Sequence, residues 1–292
     1  MKVEPICAVC LLSRGMEEAR LATDKEDVLM KVAQGLLNLL SKEFNVNAIP
    51  AYLGRKRDRL VREITNCNDP YREAKRRSNE LALKLLPQAY ELLNGKRGYA
   101  RFKTASLIAT LGNAFEFGVL GYSFPLNQGV DLLKELSQQE VYDETYKVYG
   151  VLRKNIKILY LTDNAGEIAF DKVLIEELNM IGAQVTVMVK GAPIINDALL
   201  EDALLFKLNE VANVVTSDGD EVGFNPLDAS ERLRSLYLSS DLVIAKGMGH
   251  YETLSEMEIS PPIVHMLKAK CQPVAKSLGV KRGSLVIKAR WD

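Results

Sequence analysis

The residues with the most chemical capacity in this chain are acids, amides, lysines and glycines that follow short apolar runs. Asp163, Asn164 and Glu167 follow IKILYL, and Lys190, Asn196 and Asp197 follow QVTVMV. Asp218 and Asp220 follow ANVVTS, while Lys246, Gly247, Gly249 and Glu252 follow DLVIAK. Carboxylate and amide oxygens suit hard divalent cations, and such ions share their coordination with water and phosphate oxygens. An acidic rim with added lysines therefore points to phosphoryl chemistry.

Plainer readings stand beside this one. Asp197 has the character of a helix N-cap, which needs only one side-chain oxygen. A cap at Asp163 or Asn164 explains one of the two and leaves the other over. Lys246 closes an apolar strand, from which its ammonium can snorkel to solvent. Asp218 and Asp220, beside Gly219 and Gly223, read as turn formers.

The elements that must position these residues divide the chain in two. From Pro5 to about Tyr149 the apolar residues recur at helical spacing, as in Val28, Val32, Leu36, Leu39 and Leu40. After Asn155 short apolar runs alternate with helix-length segments: IKILYL, QVTVMV, ANVVTS, DLVIAK, PIVHML and SLVIKA are the candidate strands. The expected fold is α/β in two parts. A helical domain spans 1–150, and a Rossmann-like, mainly parallel sheet flanked by helices spans 151–292 and carries the site. Ligands of such sheets bind at the strands' carboxyl ends. The G-x-G-x-x-G turn of a dinucleotide cofactor is missing from the first strand–helix junction.

The helical half contributes its own polar residues. Tyr71, Lys75 and Asn79 lie at four-residue spacing after Asp69 and Pro70, and the default for such a row is a solvated face. Asn113 and Glu116, in LGNAFEFG, interrupt an apolar helix one turn apart and are expected to project into a cleft between the domains. CAVC, with Cys7 and Cys10, reads as the start of a metal site, a redox pair or an inert helix face; Cys271 is the obvious third sulfur.

Composition excludes several classes. The 292 residues carry 38 basic and 38 acidic side chains, a formal charge of zero, so no global field draws the chain to nucleic acid or an anionic membrane. Two histidines make a zinc held by several imidazoles implausible. The sequence has no apolar run of membrane-spanning length and no signal-like start, so a cytoplasmic location with reduced cysteines is expected.

Taken in order, PICAVC, NDPYREAK, LGNAFEFG, LTDNAGE, IIND, AKGMGHYE and LKAKCQPVA resemble the damage-control phosphatase family, also known as domain of unknown function eighty-nine. The resemblance covers essentially the whole chain. It is similar to the first subfamily, marked by C-x-x-C, GNFE-like and Lys-Cys motifs, which here read CAVC, GHYE from Gly249 to Glu252, and Lys270 with Cys271. GHYE departs from the Asn-Phe form. What the resemblance implies is a metal-dependent phosphatase acting on small phosphate esters, such as sugar phosphates, nucleotides or damaged phosphometabolites. Its divalent metal, Mn²⁺, Ni²⁺, Co²⁺ or Mg²⁺, would be held by Asp163, Asn164 and Asp197.

On that reading Lys246 adds a second positive charge, and the backbone of Gly247 and Gly249 lets a phosphate approach closely. Glu252 orders a water or a substrate hydroxyl, and Asn113 and Glu116 select substrate from the helical side. Metal-activated water is preferred to Asp163 as a covalent nucleophile, because position 165 is Ala rather than the second Asp of phosphotransferases. The alternatives are a phosphometabolite-binding module without turnover and, as for a relative in another subfamily, a carboxyl methyltransferase.

Overall fold

The computed structural model describes residues 1–114, 131–258 and 261–291. Its first unit is a trio of helices, α1 (Ile6–Ala22), α2 (Glu26–Glu43) and α3 (Pro50–Thr65). They close on a small core of Ala19, Leu29, Val32, Leu36 and Val61. Val32 and Leu36 come from the stripe seen in the sequence; Pro50 opens α3 at its first turn and Asn66 ends it in the left-handed region.

The packing then runs across the boundary expected at residue 150. Helices α4 (Arg72–Glu91) and α5 (Gly98–Gly112) lie against α8 (Glu167–Ile181) and share one apolar core with the sheet, through Leu85, Ile108, Leu111, Phe170 and Tyr160. After α6 (Leu132–Ser137), a three-residue strand β1 (Val141–Asp143) sits in the half read as wholly helical and pairs in parallel with the last strand. It is too short to carry a period of two, so its sequence gives no strand signal. Helix α7 (Thr145–Val151) follows.

The sheet continues with β2 (Lys157–Leu161), β3 (Gln184–Val189), β4 (Asn213–Thr216), β5 (Leu242–Lys246), β6 (Ile263–Lys268) and β7 (Leu285–Arg290), the six strands expected. Their order is β1-β7-β6-β5-β2-β3-β4, and every pairing is parallel except β6 with β7. Helices α9 (Leu200–Leu205), α10 (Glu231–Leu238), α11 (Gly247–Leu254) and α12 (Gln272–Leu278) complete the chain. Side chains alternate along β2: Ile158 and Tyr160 enter the core with α5 and α8, while Leu159 and Leu161 face Leu233 and Tyr237 of α10. Burial on both faces explains why the strands read as unbroken apolar runs.

From β2 the chain winds outward through β3 to β4, then returns to β5 on the other side of β2. Adjacent strands leave that point in opposite directions, and a crevice opens at their carboxyl ends. Asp163 follows β2 and Gly247 follows β5, so the two candidate loops meet there. Among the described residues, no helix is long and apolar enough to cross a membrane.

Candidate active site

Two glycines set the loops at the crevice. Gly166 (φ +74°) precedes α8, and a Cβ there would lie 2.8 Å from the Ser78 carbonyl oxygen of α4. Gly247 (φ +75°) opens α11, and a Cβ there would lie 1.9 Å from Asp163 Oδ2. Only glycine meets both the backbone angle and the approach. The expectation that Gly247 leaves room for phosphate is thereby corrected: the space is taken by the Asp163 carboxylate.

Asp163 and Glu167 are tied together by two amides. Asn113 Nδ2 donates to Asp163 Oδ2 at 2.8 Å and to Glu167 Oε2 at 2.9 Å. Asn164 Nδ2 donates to the same two oxygens at 2.9 and 2.8 Å. The other end of Asn113 accepts from the Lys268 backbone N–H at 3.0 Å. Asn113 is thus fully engaged in holding the carboxylates, not in reaching substrate as expected. Glu116 lies outside the described residues.

Lys246 departs furthest from its reading. It neither snorkels nor reaches the cavity: its side chain is wholly buried, and Nζ donates to Ala109 O at 2.9 Å, to Glu167 Oε1 at 2.6 Å and to Asp171 Oδ1. Asp171 also accepts from the Tyr160 hydroxyl at 2.7 Å. Burial works against the ammonium, yet Asp171 and Glu167 outweigh it and hold its pKa above the ordinary lysine value. Burial lifts Asp171 to about 6 against the pull of Lys246. Positive charge at this end of the sheet is spent on orienting Glu167 rather than on substrate.

Asp197 arrives by backbone. The Ala198 N–H donates to Asp163 O at 2.8 Å, and the Ala165 N–H donates to Asn196 O at 2.9 Å, forming a bridge that sets Asn164 opposite Asp197. Asp197 is not the expected N-cap. Helix α9 begins at Leu200, and its end is closed by Asp202, whose Oδ2 accepts from the Leu199 N–H at 2.8 Å. Ile195 beside it is held at φ +44°, a conformation costly for a β-branched residue. Its N–H donates to Asp58 Oδ2 of α3 at 3.0 Å, and Arg62 Nε donates to Asp58 Oδ1 at 2.6 Å. The helical trio therefore pins the strap that carries Asp197.

These groups border a cavity of about 500 Å³ between α1, α3 and the strand-end loops. Asp163, Asn164, Asn196, Asp197, Gly249 and Glu252 line it from the segments that follow the strands, Cys7, Cys10 and Arg14 from α1, Arg57 from α3, and Lys270 and Cys271 from the turn after β6. CAVC and the Lys-Cys pair thus converge on one space with GHYE, which their separation in sequence concealed. All four cysteines are free. Burial pushes the Cys7 thiol up and that of Cys271 to about 11, so neither is a ready thiolate and the redox reading gains no support. The Glu252 carboxyl is pushed up to about 7 by burial, against the pull of the N-terminal ammonium and Arg57.

The remaining expectations resolve as follows. Tyr71, Lys75 and Asn79 are buried, not a solvated face; Lys75 pairs with Asp69 at 2.7 Å, and Asn79 donates to Asp202 at 2.6 Å. Asp220 is more than a turn former, accepting from Arg55, Arg59 and Arg62 of α3, which hold its carboxyl well below the usual range against the cost of burial. Asp218 accepts from the Ser230 N–H and hydroxyl. Asp58 and Asp171 escaped sequence reasoning. Asp171 had a signal: it lies one turn beyond Glu167, an acid on the face of α8 otherwise given to Ile168, Leu174 and Ile175.

The donor set fits a hard cation. Burial, reinforced by Glu167 and Asp197, drives the Asp163 carboxyl far above its ordinary pKa, while Lys270 and the Asn113 amide pull it back. Burial likewise raises Asp197 to about 6 although Lys190 lies 3.6 Å away. Two acids facing each other in a dehydrated pocket gain from a shared cation. Among the described residues no group of three or more His, Cys, Asp or Glu side chains forms a ready metal cage. Asp163, Asn164 and Asp197 amount to two carboxylates and an amide, suited to an ion that keeps water and phosphate oxygens in its shell.

The comparisons with known proteins agree with this architecture. The profile of the damage-control phosphatase ARMT1-like domain matches residues 3–286. The chain is 37% identical over 290 residues to an Archaeoglobus fulgidus protein named damage-control phosphatase, covering 99% of each. It is 33% identical over 287 residues to a Pyrococcus horikoshii protein of that name, covering 98% of this chain and 97% of the relative. An uncharacterized protein of Methanocaldococcus jannaschii is 37% identical over 294 residues, covering 99% of this chain and 96% of that one. The crystal structure of a DUF89 family protein from Pyrococcus horikoshii superposes with a TM-score of 0.88 at 33% identity, covering 98% of each chain.

Proposed function

The chain belongs to the damage-control phosphatase ARMT1-like (DUF89) family, and from that premise we propose that it is a metal-dependent phosphatase hydrolysing small phosphate esters. The observation that carries the proposal is the meeting of Asp163, Asn164 and Asp197 at one wall of a 500 Å³ cavity, at the sheet's switch point. Asp163, Asn164 and Asp197 would hold a divalent ion such as Mn²⁺, Ni²⁺, Co²⁺ or Mg²⁺. Such an ion neutralises phosphoryl charge and promotes attack by water.

The chain's own residues do the rest. Asn113 and Asn164 lock the Asp163 carboxylate in place through hydrogen bonds to one of its oxygens, leaving the other unengaged by those amides. Lys246 fixes Glu167 and so keeps that carboxylate turned to the two amides. Glu252, with its carboxyl near 7, exchanges a proton at neutral pH and is placed on the cavity wall to take one from water or give one to a departing alkoxide. Gly249 packs beside Gly223, which keeps the GHYE stretch of α11 close to the loop after β4. The substrate class is a small phosphorylated metabolite, the biological role removal of damaged or surplus ones, as the relatives' names suggest.

The test is phosphate release from sugar phosphates, nucleotides and p-nitrophenyl phosphate, in EDTA and with each of the four metals, beside Asp163→Ala. Release that requires metal and vanishes in the variant supports the proposal. A folded protein that binds metal and phosphate esters yet releases no phosphate sinks it in favour of a binding module.

A further inference from the structure

The strap between β3 and α9, which carries Asp197, holds a conformation that its own sequence disfavours. Among the described residues four that are not glycine have positive φ, Asn66, Asn155, Ile195 and Lys207, and Ile195 alone of these is β-branched. Asn enters that region with little strain, whereas an isoleucine stays there only where its surroundings hold it.

The holding group comes from the helical trio. The Ile195 N–H donates to Asp58 Oδ2 at 3.0 Å, and Asp58 is fully buried on α3. Arg62 Nε donates to the other Asp58 oxygen at 2.6 Å, and Arg62 Nη2 donates to Asp220 Oδ2 at 2.6 Å, so the acceptor is itself anchored. The Asp197 N–H closes a turn on Ile194 O at 3.1 Å, and Ile195 lies inside that turn. A change of φ at Ile195 therefore moves Asp197 relative to Asn164, which it faces across the bridge.

Resting on the metal-dependent reading above, we propose that Asp58 is a positioning residue for the metal site: it holds Ile195 in its strained conformation and so keeps Asp197 set against Asn164 before any ion arrives. Affinity for the ion then depends on a residue of α3 that does not itself border the cavity. A strap free to relax spends part of its time out of place, and the apparent Kd rises in proportion.

The experiment measures Kd for Mn²⁺, Ni²⁺, Co²⁺ and Mg²⁺ by calorimetry and carries the tightest-binding ion through the variants, with Tm recorded in the absence of metal. The variants are Asp58→Ala, Arg62→Met, Ile195→Gly and Asp58→Ala with Ile195→Gly. Asp58→Ala should weaken metal binding by about tenfold or more, the scale of one lost hydrogen bond to a charged acceptor. Arg62→Met disturbs the same buried group but leaves the Ile195 bond, so Tm should fall while Kd holds. Glycine takes positive φ without the Cβ penalty, so in the Ile195→Gly background Asp58→Ala should cost no more than about threefold. Saturating metal should return kcat of Asp58→Ala on p-nitrophenyl phosphate close to that of the wild type, a split that general loss of structure would not give. If Asp58→Ala does not fold, Asp58→Ala with Arg62→Met replaces it in both backgrounds, because the stranded guanidinium leaves with its acid. An unchanged Kd on loss of Asp58, or a loss equally large with Ile195→Gly, overturns the inference. A wild type that binds none of the four metals overturns the metal-dependent reading and takes the inference with it. Metal binding without phosphate release overturns only the hydrolytic reading, and the Kd values then decide on Asp58 by themselves.

Discussion

Two buried charge clusters near the cavity are held in different ways. On the sheet side, Asp163, Glu167, Asp171 and Lys246 are cross-linked through Asn113, Asn164 and Tyr160, with short hydrogen bonds throughout. On the helical side, Arg57 and Glu18 lie against each other without a hydrogen bond. Apart from Asp171 Oδ2, which has no partner among the described residues, the Lys246 network is hydrogen-bonded, and such a network fixes geometry. The Arg57–Glu18 pair is held by charge at 3.5 Å, with the guanidinium Nε and Nη2 shut away from solvent. Burial alone therefore does not fix how a charge is held; its hydrogen-bond partners do.

The comparison breaks most completely at Asp163. Asp163→Ala should reduce metal-dependent phosphate release to background, while circular dichroism shows a folded protein. Gly247→Ala should come close to this, because its methyl group would occupy the Asp163 carboxylate's place and its backbone would be strained by about 1 kcal/mol or more. Its signature is lost activity together with a lowered Tm.

In the Lys246 cluster, Lys246→Met leaves Glu167 and Asp171 buried without their cation and should cost about 3–5 kcal/mol in denaturant unfolding. Adding Glu167→Gln and Asp171→Asn removes the stranded charges and should restore much of that stability. If the triple variant is no more stable than the single one, the network account of this cluster fails.

Divalent metal should sharpen the contrast through pH. Asp197, raised to about 6, and Asp163, raised well above its ordinary value, must lose protons to become ligands. The thermal shift produced by Mn²⁺ should therefore be larger at pH 8 than at pH 5, reaching about 2.7 kcal/mol where free metal is a hundred times its Kd. A shift independent of pH would remove these two acids from the ligand set.

The smallest effect belongs to Glu18. Glu18 ionises near 8 in the fold against 4.5 ordinarily, so between those values the folded state binds the extra proton and stability falls as pH rises. Full benefit is present below 4.5 and is lost on passing 8. Glu18→Gln should flatten that part of the pH–stability curve and raise Tm at pH 8 by roughly 2 °C or more.

The strand set and the polar residues after each strand were legible because both follow from local rules. A strand buried on two faces must be an apolar run, and the loop at its carboxyl end is where polar groups can meet solvent. That logic located Asp163, Asn164, Asp197, Gly249 and Glu252 before any coordinates. It failed for Lys246, since an ammonium at a strand end looks the same whether it snorkels or meets two acids from α8. It failed for Asn113 and Gly247 in role though not in place, because what each touches is contributed by distant segments.

The sequence by itself determined the alternation of helix and strand, the neutral overall charge and the family motifs. Each is a property of neighbouring residues or of composition. Long-range packing alone brought CAVC, Lys270–Cys271 and GHYE to one cavity and set Asp58 to hold the strap bearing Asp197. Those relations depend on which helices cover which end of the sheet. Long-range packing sets that choice, and no local period encodes it.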